Sequence, residues 1–403
     1  MFYKRTRLFV HFNLINFFQI LKSFFTYNKD FSEHLKKFLN VKNLVLTSYG
    51  RTALYDIIKI IISKNNKKIF FIAPYTIPEV IHAITYAGGK VSYIDIDHTT
   101  GLINENELEK NIDENTAGVI ITHLYSENNS IKNFINKFKN KIFIIEDAAI
   151  NLGAKAENSF LGTLGDFGFF SFALVKNLNT FTGGAIYIKD NNIFNDYISK
   201  RKVKNFPFNK TINLLLTTLF IKFFFNNFTY QITHYFLRFV YLKNIKFVLK
   251  KIYPVLFHKL EEKIPEIYSY DFNWHLNDVG IYNLKKIQND LEERIAKGRL
   301  YKELINNNVA IKTNCLSGDN AILEFTIILK TTSNLKAHSK LMQEGYDVRH
   351  TWYINNMKSN KYLNKDDFKD TCLIDEKILC LPLHKNISNL DIKRISNIIN
   401  TLI

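Results

Sequence analysis

The sequence predicts an α/β protein in which a large sheet domain is followed by a smaller α+β domain. Between residues 43 and 190, short apolar runs alternate with segments of helical periodicity, the pattern typical of α/β proteins. The apolar runs are continuous instead of alternating with polar residues, which indicates strands buried on both faces of a sheet. A chain of 403 residues is long enough for two such domains.

Each element of the large domain is bounded by a change in this pattern. Helices are predicted in TALYDIIKIIIS and IPEVIHAITYAG. Strands are predicted in VKNLVLTS, KKIFFIAP, KVSYIDID, TAGVIITHLY, KIFIIEDAA and GAIYIKD.

The second domain follows an apolar insert. The stretch from Asp278 to Ile305 predicts one long amphipathic helix. The next segments predict a strand, a helix, a second strand and a final helix in AILEFTIILK, LKAHSKLMQEGY, KILCLPL and DIKRISNIINTLI. We therefore divide the chain into an N-terminal segment 1–29, a large domain 30–202, an insert 203–262 and a C-terminal region 263–403.

The positive charge of the chain is concentrated in two apolar stretches. Residues 201–260 contain eleven Lys and Arg and residues 1–29 contain five, with no Asp or Glu in either, so they carry +16 of the net +17. An evenly spread excess of positive charge would favour nucleic acid as a partner. The excess in this chain is not evenly spread, so we expect no nucleic acid partner. A basic surface that is also rich in aromatic residues is typical of binding to anionic lipid headgroups.

The insert favours peripheral attachment to the cytoplasmic face of a membrane. The run from Ile212 to Leu242 is long enough to span a bilayer, but Lys222 and Arg238 interrupt it. We expect helices that lie on or dip into the interface, and a true span is the alternative. An extended dimer interface is a further alternative, although interface cores are depleted in Lys. The basic N-terminus lacks a signal-peptide cleavage site, and three scattered cysteines indicate a reduced, cytosolic setting without a metal site.

The turn TSYGRTAL, residues 47–54, has the features of an anion-binding turn between a strand and a helix. Gly50 allows the backbone to approach an anion closely, and the first amides of the helix point towards it. The side chains of Arg51 and Thr52 are candidates to hold a phosphate. An ordinary strand-to-helix turn is the alternative, because a glycine motif alone is a weak signal.

Two further segments contain candidate catalytic side chains. Asp147 ends the apolar run IIED, and open α/β sheets bind ligands at the carboxyl ends of their strands. A helix cap or a structural ion pair is the alternative there. Lys176 follows the apolar run FGFFSFALV, and a lysine in an apolar pocket loses its proton readily and becomes a nucleophile. Ser171, five residues earlier, is a candidate donor to the same phosphate.

Together these segments resemble the DegT–StrS family of sugar aminotransferases, which are fold-type I enzymes dependent on pyridoxal 5'-phosphate (PLP). The resemblance extends from about Asp30 to the C-terminus, and its motifs occur in the family's order. They are Tyr49 to Leu54, Pro74-Tyr75-Thr76, His123 to Ser126, Glu146 to Ile150, Ser171 to Asn177, Gly183-Gly184-Ala185, Asn273 to Asp278 and Leu381 to His384. The implied fold is a mixed, mostly parallel sheet between helices, with a small α+β C-terminal domain.

The resemblance implies a role for each of these residues. Lys176 would bind PLP covalently and move a proton between substrate and cofactor, while Asp147 would pair with the protonated ring nitrogen. The phosphate would be held by Gly50, Arg51 and Ser171. Asn273 would reach the phosphate of the neighbouring subunit, which implies a homodimer with shared active sites.

The sequence departs from the family at three positions near this site. Ile150 replaces a glutamine that contacts the ring hydroxyl, and Ile77, the residue after Thr76, stands at a position where relatives often stack an aromatic ring on the cofactor. His275 replaces an arginine in the dimer-crossing segment. We still assign Ile77 and Ile150 to the cofactor pocket.

The implied reaction moves an amino group from glutamate to a keto-sugar, linked to a nucleotide or a lipid, for a surface polysaccharide. Some relatives have histidine in place of the lysine and are dehydratases, so the retained Lys176 favours transamination. The alternatives are another PLP reaction on a sugar and a membrane-bound scaffold of the same fold without activity.

Overall fold

A computed structural model describes residues 4–7, 14–26, 31–226, 228–243, 245, 247, 262–313, 323–350, 354–355 and 365–402. The end of the predicted insert, residues 248–261, and Cys315 lie outside the described residues. The helices are α1 Leu14–Ser23, α2 Phe31–Leu39, α3 Gly50–Asn65, α4 Pro78–Tyr86, α5 Glu105–Asn111, α6 Asn128–Phe138, α7 Asn191–Lys200, α8 Phe208–Phe224, α9 Tyr230–Leu242, α10 Asn277–Leu284, α11 Ile287–Leu304, α12 Asn334–Gln343, α13 Lys369–Lys377 and α14 Asn389–Asn400.

The strands alternate with these helices along the large domain. They are β1 Leu44–Thr47, β2 Ile69–Ile72, β3 Tyr75–Thr76, β4 Lys90–Tyr93, β5 Thr116–Thr122, β6 Phe143–Asp147, β7 Lys155–Ala156, β8 Ser159–Phe160, β9 Phe167–Ser171, β10 Gly184–Ile188, β11 Ala310–Lys312, β12 Glu324–Leu329, β13 Ile354–Asn355 and β14 Ile378–Pro382.

A seven-stranded sheet in the order β1-β10-β9-β6-β5-β2-β4 forms the large domain. The five strands from β9 to β4 are parallel, and β10 runs antiparallel to both of its neighbours. Neighbouring residues of one strand, such as Ile144 and Ile145 of β6, are fully buried in two different apolar clusters. The sheet is therefore covered on both faces, and the α/β prediction is confirmed.

The register of the sheet brings the ends of five strands to one edge. Thr47 pairs with Gly184, and Gly184 pairs with Ser171. On the other side of β9, Asp147 pairs with Phe169 and also with Thr122 of β5. Segments distant in sequence therefore meet where the parallel strands end, as in other open α/β sheets.

The C-terminal region differs from the prediction in its long helix and in three elements that were not predicted, β11, β13 and α13. The predicted long helix is two helices, α10 and α11, separated by Lys285 and Lys286. The Lys286 N–H donates to Asn283 O, which is a tighter turn than that of an α-helix, and the Asn283 side chain donates to Asn179 O. The strand β9 was also not predicted, because its apolar sequence continues into the loop that contains Lys176.

The predicted insert contains the helices α8 and α9, and it lies beside the N-terminal segment. The rings of Phe24 and Phe208 are 5.4 Å apart. The backbone N–H and C=O of Lys4 bond to the side chain of Gln231 in α9 at 3.0 and 3.1 Å. Among the described residues, no helix combines the length and hydropathy that a membrane span requires.

Candidate active site

Lys176 lies in the loop that connects β9 with β10 at the carboxyl edge of the sheet. Burial lowers the pKa of its amine to about 8, and the positive charge of Arg349 acts in the same direction. The carboxylate of Asp147 opposes this shift by favouring the charged amine. A large neutral fraction of the amine near pH 8 is the state that a nucleophilic lysine requires.

Asp147 is the last residue of β6 and is buried. Burial raises the pKa of its carboxyl group, whereas the charges of Lys176 and His123 and a 3.1 Å bond from the Ala149 N–H lower it. The carboxylate thus faces positive groups in an environment with little water. Such a position suits an electrostatic partner for a protonated ring nitrogen.

Glu146 has a structural role, which differs from the role of its neighbour Asp147. Its carboxylate accepts hydrogen bonds from the N–H groups of Gly162, Leu164 and Gly165 at 2.7 to 2.8 Å. One of its oxygens also lies 3.3 Å from Nε2 of the fully buried His123. Glu146 therefore holds the backbone of this loop, and Asp147 is the residue next to Lys176.

We expect Glu146→Gln to destabilise the fold. The amide provides only one acceptor oxygen for three buried N–H donors, so at least one donor loses its partner, at a cost of about 1–3 kcal/mol. Urea unfolding followed by circular dichroism measures this loss. A free energy of unfolding equal to that of the wild type would contradict the structural role.

The turn before α3 brings a glycine against the end of β9. A Cβ atom on Gly50 would lie 2.9 Å from Ser171 Cβ, and one on Gly184 would lie 2.7 Å from Gly50 N. Only residues without a side chain fit at these two positions. Tyr49 caps α3 without a side-chain hydrogen bond, and the first turn contains no acidic residue. The helix therefore presents its first amides and its positive dipole end near the Ser171 side chain.

Three other predicted phosphate ligands have local partners. The Arg51 guanidinium lies 3.7 Å from Glu79 and 5.0 Å from the Tyr49 ring centre. The Thr52 hydroxyl bonds to Ser48 and to Ile267 O. The backbone N–H is therefore the group of Thr52 that points out of the helix end. The Asn273 amide donates to Thr211 in α8 at 2.9 Å.

Comparison with known proteins supports the resemblance predicted from the sequence. The model of the DegT/DnrJ/EryC1/StrS aminotransferase family matches residues 18–206, which include Gly50, Asp147, Ser171 and Lys176. This part of the chain is similar to that family. The predicted resemblance is therefore confirmed, and with it the class of PLP-dependent aminotransferases.

Relatives within the family include proteins of sugar metabolism. A GDP-4-keto-6-deoxy-D-mannose 3-dehydratase of Yersinia pseudotuberculosis is 25% identical over 95% of this chain and 92% of its own length. A GDP-perosamine synthase of Escherichia coli O157:H7 is 29% identical, but the match spans 28% of this chain and about a third (32%) of the relative. A putative sugar aminotransferase of Streptococcus pneumoniae, solved in its PLP form, has the same fold, with a TM-score of 0.72, 14% identity and coverage of 99% and 97%.

The residues of the site fit PLP. Gly50 and Ser171 form a phosphate cradle that an added Cβ would fill, and the buried Asp147 lies beside Lys176 at the same edge. The ring pocket is more apolar than the family pattern implies. Ile150 is buried, and its backbone carbonyl accepts a 3.0 Å bond from the Asn177 side chain. Ile77, which caps α4, is half-buried against the core.

Several charged residues near Lys176 were not predicted from the sequence. Arg7, Arg294, Glu324 and Arg349 line the pocket that contains Lys176. They come from the N-terminal segment, a helix and the small domain, so no local motif connects them. Arg7 is one of the five basic residues of the N-terminal segment, whose charge the sequence assigns to a lipid surface.

Proposed function

We propose that this protein is a PLP-dependent aminotransferase that moves an amino group from glutamate to a keto-sugar for surface polysaccharide synthesis. The observation that supports this most strongly is the retained Lys176, whose pKa is lowered to about 8 beside the buried Asp147. The keto-sugar is linked to a nucleotide or a lipid. The names of relatives in this family support a sugar substrate.

Each residue of the site has a separate role in transamination. When bound, PLP supplies an aromatic ring that withdraws electrons from the substrate carbon. Lys176 would hold the cofactor and, as a free amine, would move the proton at the reacting carbon. Asp147 would keep a proton on the ring nitrogen, and the amides of Gly50 and its neighbours, with Arg51 and Ser171, would hold the phosphate. Ile77 and Ile150 would line the pocket with apolar side chains that exclude water.

The half-reaction tests this function. Purified protein loaded with PLP is mixed with glutamate, and the visible absorbance of the bound cofactor is followed. We expect it to convert to the pyridoxamine form and to be restored by a suitable keto-sugar. A spectrum that glutamate, alanine and aspartate all leave unchanged would exclude transamination.

Dehydration of a sugar is the second candidate, because the relative matched over most of its length is a 3-dehydratase. Lys176 distinguishes the two reactions, since the resemblance places histidine at this position in dehydratases. Incubation with a nucleotide-linked 4-keto-6-deoxy-sugar, with and without glutamate, separates them by product mass. A scaffold without activity predicts protein that stays colourless when PLP is added.

The proposed assembly is a homodimer with shared active sites. Its support is the family's dimer-crossing segment, in which Asn273 is the residue expected to reach the partner's phosphate. Equal amounts of the inactive variants Lys176→Ala and Asn273→Ala, mixed and reassociated, are expected to recover about a quarter of the wild-type activity, because half of the dimers regain one intact site. Light scattering that gives the mass of a single chain would contradict the dimer.

The insert, within the proposed boundaries 203–262, is a membrane-attachment segment. Its helices reverse the usual polarity of surface helices, because Thr211, Thr218 and His234 are buried while Phe220 and Ile232 are 60% and 79% exposed. Exposed apolar side chains also include Leu216, Leu219, Phe223, Phe236 and Phe239. An apolar face of this extent marks an interaction surface.

The basic charge of this face indicates an anionic lipid surface as its partner. Lys210, Lys222 and Arg238 lie on the same two helices, and no acidic residue occurs between 201 and 260. The adjoining N-terminal segment adds Lys4 and helix α1, where Ile15 and Phe18 are exposed. We therefore place the protein on the cytoplasmic leaflet of the membrane.

Co-sedimentation with vesicles tests the attachment. The wild type is expected to bind vesicles that contain phosphatidylglycerol, and the double variant F220S/F236S is expected to bind at least about tenfold more weakly, because burial of one Phe contributes about 1.5–3 kcal/mol. Leu335→Ser is the matched control, since Leu335 is 56% exposed on α12 of the small domain. Equal binding of all three proteins would contradict this surface.

A further inference from the structure

The pocket that contains Lys176 has an excess of positive charge. Among the described residues, its charged lining consists of Arg7, Lys176, Arg294 and Arg349 with the single carboxylate of Glu324. His384 also lines the pocket, and burial lowers its pKa to about 3, so its imidazole is neutral at physiological pH. Even when the Asp347 carboxylate beside Arg7 is counted with Glu324, three guanidinium groups and Lys176 face two carboxylates, which suits an anionic ligand.

Arg7 is held at this pocket by the backbone of residues 4–7, which makes an isolated bridge with Tyr346. The Arg5 N–H donates to Gly345 O at 2.8 Å, and the Asp347 N–H donates to Arg5 O at 2.9 Å. His384 Nε2 lies 2.9 Å from Thr6 O. These bonds fix the backbone beside Arg7. Its guanidinium lies 3.7 Å from the Asp347 carboxylate, and its side chain is only 8% exposed.

The other two arginines are held by different elements. Arg294 of α11 is buried. It donates at 2.8 Å to Oδ1 of Asn177, which is the residue after Lys176. The Nε of Arg349 pairs with Glu324 at 3.2 Å. Three guanidinium groups from distant parts of the chain therefore converge on one pocket, and each has a protein partner that orients it.

We propose that Arg7, Arg294 and Arg349 bind the carboxylate of the amino donor, an inference that rests on the proposed transaminase function. The distance from the reacting group decides which anion belongs here. In an amino acid, one carbon carries both the carboxylate and the amino group, so both must lie close to Lys176. In a nucleotide-linked sugar, the sugar ring separates the phosphates from the keto carbon. A pocket that Lys176 itself lines therefore fits the carboxylate.

The variant Arg7→Gln tests this assignment. In the glutamate half-reaction, we expect its KM to rise about ten- to a hundredfold, because the variant loses one charge-assisted hydrogen bond to the donor. The binding of 2-oxoglutarate, measured by calorimetry, is expected to weaken by a similar factor. The absorbance of bound PLP and the KM for the sugar in the second half-reaction are expected to change less than about threefold, because Arg7 is assigned to the donor carboxylate and not to the cofactor or the sugar.

Arg5→Gln is the matched control. Arg5 lies two residues before Arg7 and pairs with Asp391 at 3.2 Å, but it does not line the pocket. It is expected to keep the donor KM of the wild type, while either variant lowers the melting temperature through loss of an Arg–Asp pair. Arg7→Lys keeps the charge and is expected to lie between Arg7→Gln and the wild type.

The outcomes separate the failure of this inference from that of the function. An active wild type with an unchanged KM and unchanged 2-oxoglutarate binding in Arg7→Gln would overturn the inference alone. A rise in KM confined to the sugar half-reaction would assign the pocket to a phosphate, and it would overturn the inference too. A wild type that transaminates nothing, yet binds 2-oxoglutarate more tightly than Arg7→Gln, would refute the proposed function and leave the carboxylate site standing.

Discussion

Lys176→Ala is expected to abolish the visible absorbance of bound PLP and to lower transamination by at least about 10²–10⁴-fold, the usual contribution of a positioned acid–base group. The variant loses both the covalent attachment and the group that moves the proton. The buried Asp147 and the phosphate cradle remain, so the cofactor is still expected to bind without a covalent bond. Absorbance after gel filtration and the rate of the glutamate half-reaction measure the two effects.

Lys189→Ala is the control for this experiment. Lys189 follows β10, is exposed, and donates to Leu164 O at 3.1 Å without contact with the pocket. Its variant is expected to keep the colour and the activity of the wild type. Covalent PLP retained in Lys176→Ala would show that another lysine holds the cofactor.

Asp147→Asn is expected to lower the rate of the half-reaction about a hundredfold or more, in the range found when one electrostatic partner of a reacting group is removed. The two side chains have nearly the same shape, so the fold is preserved. The neutral amide cannot keep a proton on the ring nitrogen, and the ring then withdraws electrons less well. Loss of the negative charge beside Lys176 also favours a neutral amine, which is expected to lower its pKa further below about 8.

Glu146→Gln provides the comparison for this prediction. The adjacent carboxylate holds three backbone N–H groups, so its substitution is expected to change stability more than the rate. Asp147→Asn is expected to show the opposite pattern. Rates that fall equally in both variants, in proportion to their loss of folded protein, would refute a specific role for Asp147.

The parts of the site formed by single local segments were predictable from the sequence. Gly50, Asp147 and Ser171 each stand where an apolar run ends, and the carboxyl ends of parallel strands meet at one edge. The structure brings Gly50 and Ser171 into contact, as this rule requires. Lys176 was identified by the same pattern of an apolar run followed by a lysine and a glycine pair.

The contacts between distant segments could not be read from the sequence. The Thr52 hydroxyl turns towards Ile267, and Asn273 bonds to Thr211, because α8 lies against the segment before α10. Nothing local to Arg7 indicates that residues 4–7 lie beside the small domain and contribute to the pocket of Lys176. The helices of the insert were predicted from their apolar composition, but the burial of their threonines depends on what they pack against.

The most direct test of the account is to locate the cofactor on the chain. PLP-loaded protein is reduced with borohydride, which makes the bond between cofactor and lysine permanent, and the digested protein is analysed by mass spectrometry. We predict a single modified peptide that carries the pyridoxyl group on Lys176. A pyridoxyl group on another lysine, or no modified peptide in protein that has been saturated with PLP, would contradict the proposed active site.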